Sequence, residues 1–338
     1  MKNKNTIINP MSSLHNNLTL PCGVVLKNRL AKAAMSDSLG DGEGNPTQAQ
    51  IRLYEKWAKG GVGISFVGEV QCDPRFPEKP GNLVLGEHSN LKLLRELTQR
   101  SVIDGAHLWA QIGHAGALTP SSISQPVGPS ALNLEGLMCL EMSLDEIKQL
   151  PEKYAKSALL AKKVGFSGVH IHAGHGFLLS QFLSPLFNHR TDNYGGSIEN
   201  RCRIILEIIE AVRSAVGGLF PIGIRINSSD QMEGGLSEAD ALKAIRLLDK
   251  TSLDLIDISG GTYFPGVKGS SEGVSKGPYF VHFAEQAKQI TQIPLMVTGG
   301  FTQSAQAVEV INKGFADVIG LGRSMIIEPR LADRWLNE

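Results

Sequence analysis

Along the chain, short apolar runs alternate with longer stretches in which apolar residues recur every three or four positions, the mark of strands alternating with helices. Leu18–Leu20 and Val24–Leu26 flank the turn sequence Pro21-Cys22-Gly23 and predict a small hairpin. Eight strand-length runs follow: Arg29–Ala34, Val62–Val67, Ala106–Ile112, Gly168–His172, Pro221–Ile226, Asp254–Ser259, Pro294–Thr298 and Asp317–Gly322. Helical spacing covers Thr47–Lys59, Leu91–Asp104, Ser143–Val164, Ser197–Val216, Ser237–Lys250, Val281–Thr291 and Gln303–Lys313, with a short helix and Arg330–Leu336 at the end. Thr47 reads as an N-cap and Gly60-Gly61 as a stop, and Ser143 with Glu146 forms a capping-box pattern. Several strands are rich in Val, Ile and Leu on both faces, as parallel strands covered by helices are. The pattern predicts an α/β fold, a TIM (β/α)8 barrel, as a single domain over residues 1–338 with an N-terminal hairpin. An open doubly wound sheet is the competitor, but a dinucleotide-binding one would carry a GxGxxG turn near its start, and none is present. Gly113–Glu141, rich in Gly, Pro and Ser, is long for a loop and predicts a lid or site wall.

Composition removes several function classes. Of 338 residues 42% are apolar, with no run long enough to span a bilayer, and Lys+Arg balances Asp+Glu at 33 each. There is no electrostatic footprint for nucleic acid or an anionic membrane. The start, MKNKNTIINPMSSLHNN, lacks the apolar core of a secretory signal, so the expectation is a cytoplasmic protein. Cys22, Cys72, Cys139 and Cys202 are scattered without a CxxC pair and read as reduced thiols.

In a barrel of this kind ligands bind where strand carboxyl ends meet the loops. Strand seven ends in Thr298-Gly299-Gly300 and strand eight in Gly320-Leu321-Gly322-Arg323, two glycine-bearing ends suited to cradle a phosphate, with Arg323 adding charge. Gln111, His172, His175 and Arg225 stand at the ends of strands three, four and five. With no carboxylate dyad and no Ser or Cys nucleophile beside them, donors dominate, which suits a ligand with several carbonyl oxygens such as a flavin ring. His170, His172 and His175 could also bind zinc, although later strand ends supply few further ligands, so no metal is expected. His170 reads as a barrel-interior residue and the other two as a donor pair for a substrate oxygen.

The residues around this centre form a longer pattern. His172-Ala173-Gly174-His175-Gly176, then Phe182-Leu183-Ser184-Pro185, then Asn188-His189-Arg190-Thr191-Asp192-Asn193-Tyr194-Gly195-Gly196-Ser197-Ile198-Glu199-Asn200-Arg201, resembles the old yellow enzyme family of FMN-dependent NAD(P)H:flavin oxidoreductases. Lys27-Asn28-Arg29, Gln111-Ile112-Gly113-His114-Ala115-Gly116 and Gly322-Arg323 extend the resemblance from about Leu18 to Leu336. It implies FMN as cofactor and NAD(P)H as reductant. Ala33, Ala34, Met35 and Ser36 match the segment lining the flavin. Gln111 matches the glutamine on its pyrimidine edge, Arg225 the arginine beside it, and Gly300, Gly322 and Arg323 the phosphate grip. Glu69 falls where the family usually has a small or amide residue against the flavin. Asp192, Asn200 and Arg201 are expected to brace the loop after strand four.

The resemblance implies a ping-pong reaction: NAD(P)H reduces FMN, and an enone-like alkene then takes the same place, its oxygen held by His172 and His175. One position departs from the pattern. Phe177 stands where a tyrosine usually protonates the α-carbon, and Ser38 where some relatives carry a tyrosine. Tyr263 and His114 are the other candidate proton donors. The alternatives are an NADH oxidase or dehydrogenase using oxygen, quinone or another acceptor, a flavin-binding protein with little turnover, and a metal-dependent barrel hydrolase. Because strand eight lies close to the end of the sequence, the iron–sulfur and dinucleotide domains of larger relatives are not expected, and NAD(P)H would bind over the flavin. The tail at Arg330–Trp335 could reach a neighbouring copy, which leaves a homo-oligomer open.

Overall fold

The computed structural model describes residues 12–264 and 277–338, so most of the N-terminal stretch read for a signal lies outside the described residues. Eight parallel strands close in chain order: β1 Leu30–Lys32, β2 Ile64–Gln71, β3 His107–Gly113, β4 Gly168–Ala173, β5 Ile222–Asn227, β6 Leu255–Ser259, β7 Leu295–Thr298 and β8 Val318–Leu321. β8 pairs back onto β1 with Ile319 opposite Leu30, and β1 onto β2 with Ala31 opposite Ile64, which closes the ring. Outside it run α1 Gln48–Lys59, α2 Leu91–Ser101, α3 Leu144–Val164, α4 Ile198–Val216, α5 Glu238–Leu248, α6 Val281–Lys288, α7 Ser304–Asn312 and α8 Leu331–Asn337. This is the predicted TIM barrel.

The capping signals act as read. Thr47 accepts from the Gln50 backbone at the start of α1, and Ser143 and Glu146 satisfy each other's backbone N–H groups in a full capping box at α3. The lower barrel interior is apolar, built from Ala31, Ile64, Phe66, Trp109, Leu255, Met296 and Val318. The hairpin of Leu18–Thr19 and Val25–Leu26 joins this cluster through Leu18, Leu20 and Leu26. Trp109 fits because two neighbours lack side chains: a Cβ at Gly168 would fall 2.4 Å from its indole and one at Gly223 3.0 Å.

Three departures from the sequence reading bear on the site. β2 runs on to Gln71 through a register shift between Val67 and Val70, the signature of a bulge. The Gly113–Glu141 segment has structure of its own: a 3-10 turn at Gly116–Leu118 and a small sheet of Val127–Gly128, Leu132–Leu134 and Leu137–Glu141. Its apolar side packs with Phe187 and Phe264. A fully buried helix, Leu178–Leu183, follows the histidine loop and was too short to show a period.

The loop after β4 is braced as expected. Arg190 holds Asp192 in a two-nitrogen contact, Arg203 donates to Asn200, and Arg201 donates to the carbonyls of Gly196 and Leu183 and to Asp240. The C-terminal tail docks on its own barrel: Leu331, Ala332 and Trp335 of α8 are buried, and the Asp333 amide donates to the Gly60 carbonyl. No helix among the described residues is long and apolar enough to cross a membrane.

Candidate functional site

Above the apolar floor the barrel interior turns polar. Strand register puts His170 beside Gln111 and Arg225 between His172 and Asp257. Gln111 Nε2 donates to His170 Nδ1 at 3.0 Å. Arg225 Nε donates to Asp257 Oδ2 at 2.6 Å, Arg225 Nη1 to the Ala34 carbonyl at 3.2 Å, and Thr298 Oγ1 to Asp257 Oδ1 at 2.8 Å. All of these but Thr298 are buried, and burial followed by the Arg225 charge holds the pKa of His170 well below the usual range, so that imidazole is neutral. His170 is thus an interior residue, as read. Asp257 was not singled out in the sequence, although an aspartate inside the apolar run Leu255–Ser259 signals a buried charge that needs a partner.

His172 and His175 meet at the mouth. β4 delivers His172, and the chain then turns through Gly174 and a left-handed His175, φ 60°. That turn is held by the His175 amide donating to Asn227 Oδ1 at 2.9 Å and by the Tyr263 amide donating to the His175 carbonyl at 3.1 Å. Gly176 is required there: at φ +80°, a Cβ would fall 2.2 Å from Thr262 Oγ1. His172 Nε2 and His175 Nδ1 end 3.4 Å apart, with the rings nearly perpendicular at 79°. His175 Nε2 is hydrogen-bonded to Ser259 Oγ at 2.7 Å, whereas His172 Nδ1, although 3.1 Å from Glu69 Oε1, lies off hydrogen-bond geometry. Burial, then the Arg225 charge, brings the pKa of His172 down to about 3 and that of His175 well below the usual range, so both rings are neutral. Glu69 reaches His172 from the β2 bulge, itself left-handed at φ 57°, and burial lifts its pKa to about 7 against the pull of Arg225.

Ala33 and Ala34 are buried, Met35 and Ser36 half-buried. A Cβ at Gly322 would lie 3.7 Å from Met35 Sδ, which brings the ends of β8 and β1 together. Gly300 is left-handed, with room for hydrogen only, since a Cβ would fall 1.9 Å from the Gly277 carbonyl. Gly300 and Gly322 are half-buried and Arg323 is exposed. Phe177 is buried with its ring 4.9 Å from His172. Tyr263, 53% exposed, lies 5.3 Å from the His175 ring and 6.0 Å from Phe177. His114 is buried, stacked on Phe76 at 4.3 Å and accepting from the Gly116 amide. Asn227 and Ser259, which the sequence reading missed, carry no local signal because their roles come from β5 and β6 being neighbours of β4.

This donor set fits FMN. Gln111 keeps its carbonyl oxygen to accept from an imide N–H while its nitrogen is held by His170. Arg225 Nη2, although 2.6 Å from Asp257, lies off hydrogen-bond geometry and is a buried donor without an acceptor. The glycine ends of β7 and β8 with Arg323 suit a phosphate. Among the described residues no group of three or more His, Cys, Asp or Glu could hold a metal ion.

Comparison with known proteins agrees. Residues 18–337 match the NADH:flavin oxidoreductase / NADH oxidase family. The chain is 32% identical over 367 residues to the NADH-dependent flavin oxidoreductase of Neonectria sp. (strain DH2), covering 95% of this chain and 47% of that protein. It is 31% identical over 327 residues to the NADPH dehydrogenase of Bacillus subtilis (strain 168), covering 93% and 92%. Morphinone reductase in complex with tetrahydroNAD superposes with a TM-score of 0.82 at 26% identity over 96% of this chain and 90% of that one. The chain thus spans about half the length of the first of these relatives and nearly all of the second.

Proposed function

The chain belongs to the NADH:flavin oxidoreductase / NADH oxidase family, that of the old yellow enzymes, whose members use FMN with NAD(P)H as reductant, and we propose that it oxidises NAD(P)H and reduces an activated, enone-like alkene. The observation that carries this reading is the convergence of His172 Nε2 and His175 Nδ1, 3.4 Å apart at the mouth of the barrel. Two neutral imidazoles whose inner nitrogens stand within hydrogen-bond reach of each other suit a single oxygen atom that becomes negative during reaction.

In this reading Ala33, Ala34, Met35, Ser36, Gln111 and Arg225 hold the ring of FMN, while Gly300, Gly322 and Arg323 hold its phosphate. Bound there, FMN supplies hydride transfer between the nicotinamide and the acceptor. Arg225 contributes a buried positive charge beside the ring, kept in place by Asp257. The two histidines bind the acceptor's oxygen and stabilise the charge it gains, and donors of this kind are worth roughly 10²–10³ in rate each. Buried Phe177 closes one side of the pocket against water. Tyr263, over His175, is the phenol available to deliver a proton to the α-carbon, since Phe177 has none to give. NAD(P)H and the alkene occupy the same place in turn, a ping-pong scheme. Four free cysteines support a cytoplasmic setting.

The test is anaerobic turnover of the FMN-loaded protein with NADH or NADPH and 2-cyclohexenone, with cyclohexanone measured by chromatography. Product matching NAD(P)H consumed supports the proposal. NAD(P)H consumption only in air, with no cyclohexanone, replaces it with a second reading that Phe177 favours: an oxidase or dehydrogenase whose acceptor needs no carbon protonated.

A further inference from the structure

His175 lies in the loop after β4 and Tyr263 in the loop after β6, and these strands are not neighbours in the barrel: β5 lies between them. Asn227, the last residue of β5 and fully buried, spans the gap. Its Oδ1 accepts from the His175 amide at 2.9 Å. Its Nδ2 donates to the Gly261 carbonyl at 2.9 Å and to Asp230 Oδ1 at 3.0 Å, with Ser180 Oγ farther off at 3.4 Å. A primary amide has two hydrogens to give, so both are used, one of them on the β6 loop. Asp230 is fixed in turn, its Oδ2 accepting from the Leu236 amide at 2.8 Å. Beside this tie the loops meet through backbone: the Tyr263 amide donates to the His175 carbonyl at 3.1 Å and the Gly261 amide to the Ser229 carbonyl at 3.0 Å. The Tyr263 ring, 53% exposed, has little packing to hold it, so its place 5.3 Å from the His175 ring is set by the backbone the tie secures.

We propose that Asn227 is a positioning residue for proton transfer: by tying the Gly261 carbonyl to the turn at His175, it holds the Tyr263 phenol beside the oxygen-binding pair. This rests on the reading of Tyr263 as the donor to the α-carbon given above. In that step the phenol O–H bond breaks and a C–H bond forms at the α-carbon with the electron pair of the enolate, whose oxygen returns to a neutral carbonyl. Water then reprotonates the half-exposed phenolate. A placed general acid is worth about 10²–10⁴-fold, and a displacement of about 1 Å can forfeit roughly 10²-fold. Asn227→Asp/Asp230→Asn swaps amide and carboxylate within the tie. Position 227 keeps an oxygen for the His175 amide, and the amide moved to position 230 donates back to it while its own oxygen accepts from Leu236. The Gly261 carbonyl alone loses its donor, so the swap releases the β6 loop and leaves the His175 turn held.

The test is single-turnover reoxidation by 2-cyclohexenone of FMN-loaded protein reduced beforehand with dithionite, in wild type, Tyr263→Phe, Asn227→Asp/Asp230→Asn and the triple variant. Amide hydrogen exchange of the apoproteins runs alongside. The expected loss is about 10²-fold or more in Tyr263→Phe and about tenfold or more in the swapped pair. The triple variant should lie within about twofold of Tyr263→Phe, because a residue that acts through the phenol has nothing left to act on once the phenol is gone. In the swapped pair the Tyr263 amide should exchange about tenfold faster or more, while the His175 amide keeps its protection. Asn227→Ala, run in the same cycle, decides the matter if the swapped pair does not fold. A wild-type rate in the swapped pair, unchanged exchange at Tyr263, or losses that multiply in the triple variant overturns the role of Asn227 alone. A wild-type rate in Tyr263→Phe overturns the reading of Tyr263 as the donor and this inference with it, and a wild type that the enone does not reoxidise overturns the proposed function as well.

Discussion

Arg225→Met isolates the ion pair at the heart of the barrel. Asp257 is fully buried and its two donors are Arg225 and Thr298. Removing the guanidinium leaves a buried carboxylate with one hydroxyl, and the Ala34 carbonyl without its donor. Losing one partner of a buried pair costs about 3–5 kcal/mol. With an unfolding entropy of about 2.1 cal/mol/K per residue, 338 residues give roughly 0.7 kcal/mol/K, so Tm should fall by about 4–7 °C. Burial already raises the pKa of Asp257. A carboxyl raised in the fold stabilises at low pH and loses that contribution as pH rises through its folded pKa, so the loss should be no smaller at pH 8 than at pH 6. Urea unfolding of the apoprotein at both values, read by circular dichroism, gives the magnitude. Arg225→Met/Asp257→Leu should recover most of the stability while FMN affinity stays lost, separating scaffold from cofactor binding. A single variant within about 1 kcal/mol of wild type at pH 8, or a double variant no more stable than the single, would refute the reasoning.

Gly168→Ala drives a methyl to 2.4 Å from the Trp109 indole and should cost about 1–3 kcal/mol or more by overpacking, checked by thermal melting against Gly168→Ala/Trp109→Phe, which should recover part of it. Lys32, buried against Tyr54 and the Phe66 carbonyl, has its pKa lowered to about 7 by burial; a depressed lysine stabilises above its unfolded pKa and loses that contribution as pH falls toward 7, so Lys32→Met should flatten the pH dependence of unfolding between pH 10 and 7. Arg201→Ala, which strips donors from the Gly196 and Leu183 carbonyls and from Asp240, should lower stability by roughly 2–4 kcal/mol and leave the rate of flavin reduction by NAD(P)H unchanged, as urea unfolding and stopped-flow absorbance would show.

How much of this was legible in sequence follows from where each constraint lies. The barrel was readable because each strand is a local apolar run and helix stops such as Gly60-Gly61 are local too. Gln111, His172, His175 and Arg225 could be singled out because a polar side chain at the end of a buried parallel strand has few other uses. Glu69 was expected at the cofactor, and its contact with His172 was invisible because Gly68-Glu69 interrupts the alternation of β2; the strand seemed to end at Val67 and continues through the bulge. Asp257, Ser259 and Asn227 act across the sheet, so only register shows whom they meet. The small sheet at Val127–Glu141 was hidden by strands of two to five residues with Leu134, Met138 and Leu140 exposed.

The central claim, that the paired imidazoles serve an acceptor's oxygen, is tested most directly in a single turnover. FMN-loaded protein is reduced anaerobically with one equivalent of NADPH or NADH, mixed with 2-cyclohexenone, and followed by flavin absorbance in wild type and in His172→Ala/His175→Ala. The account predicts rapid reoxidation by the enone in wild type and a loss of about 10²-fold or more in the variant, with reduction by NAD(P)H retained. Reoxidation equally fast in both proteins, or none in wild type while oxygen or quinone reoxidises it promptly, would contradict it.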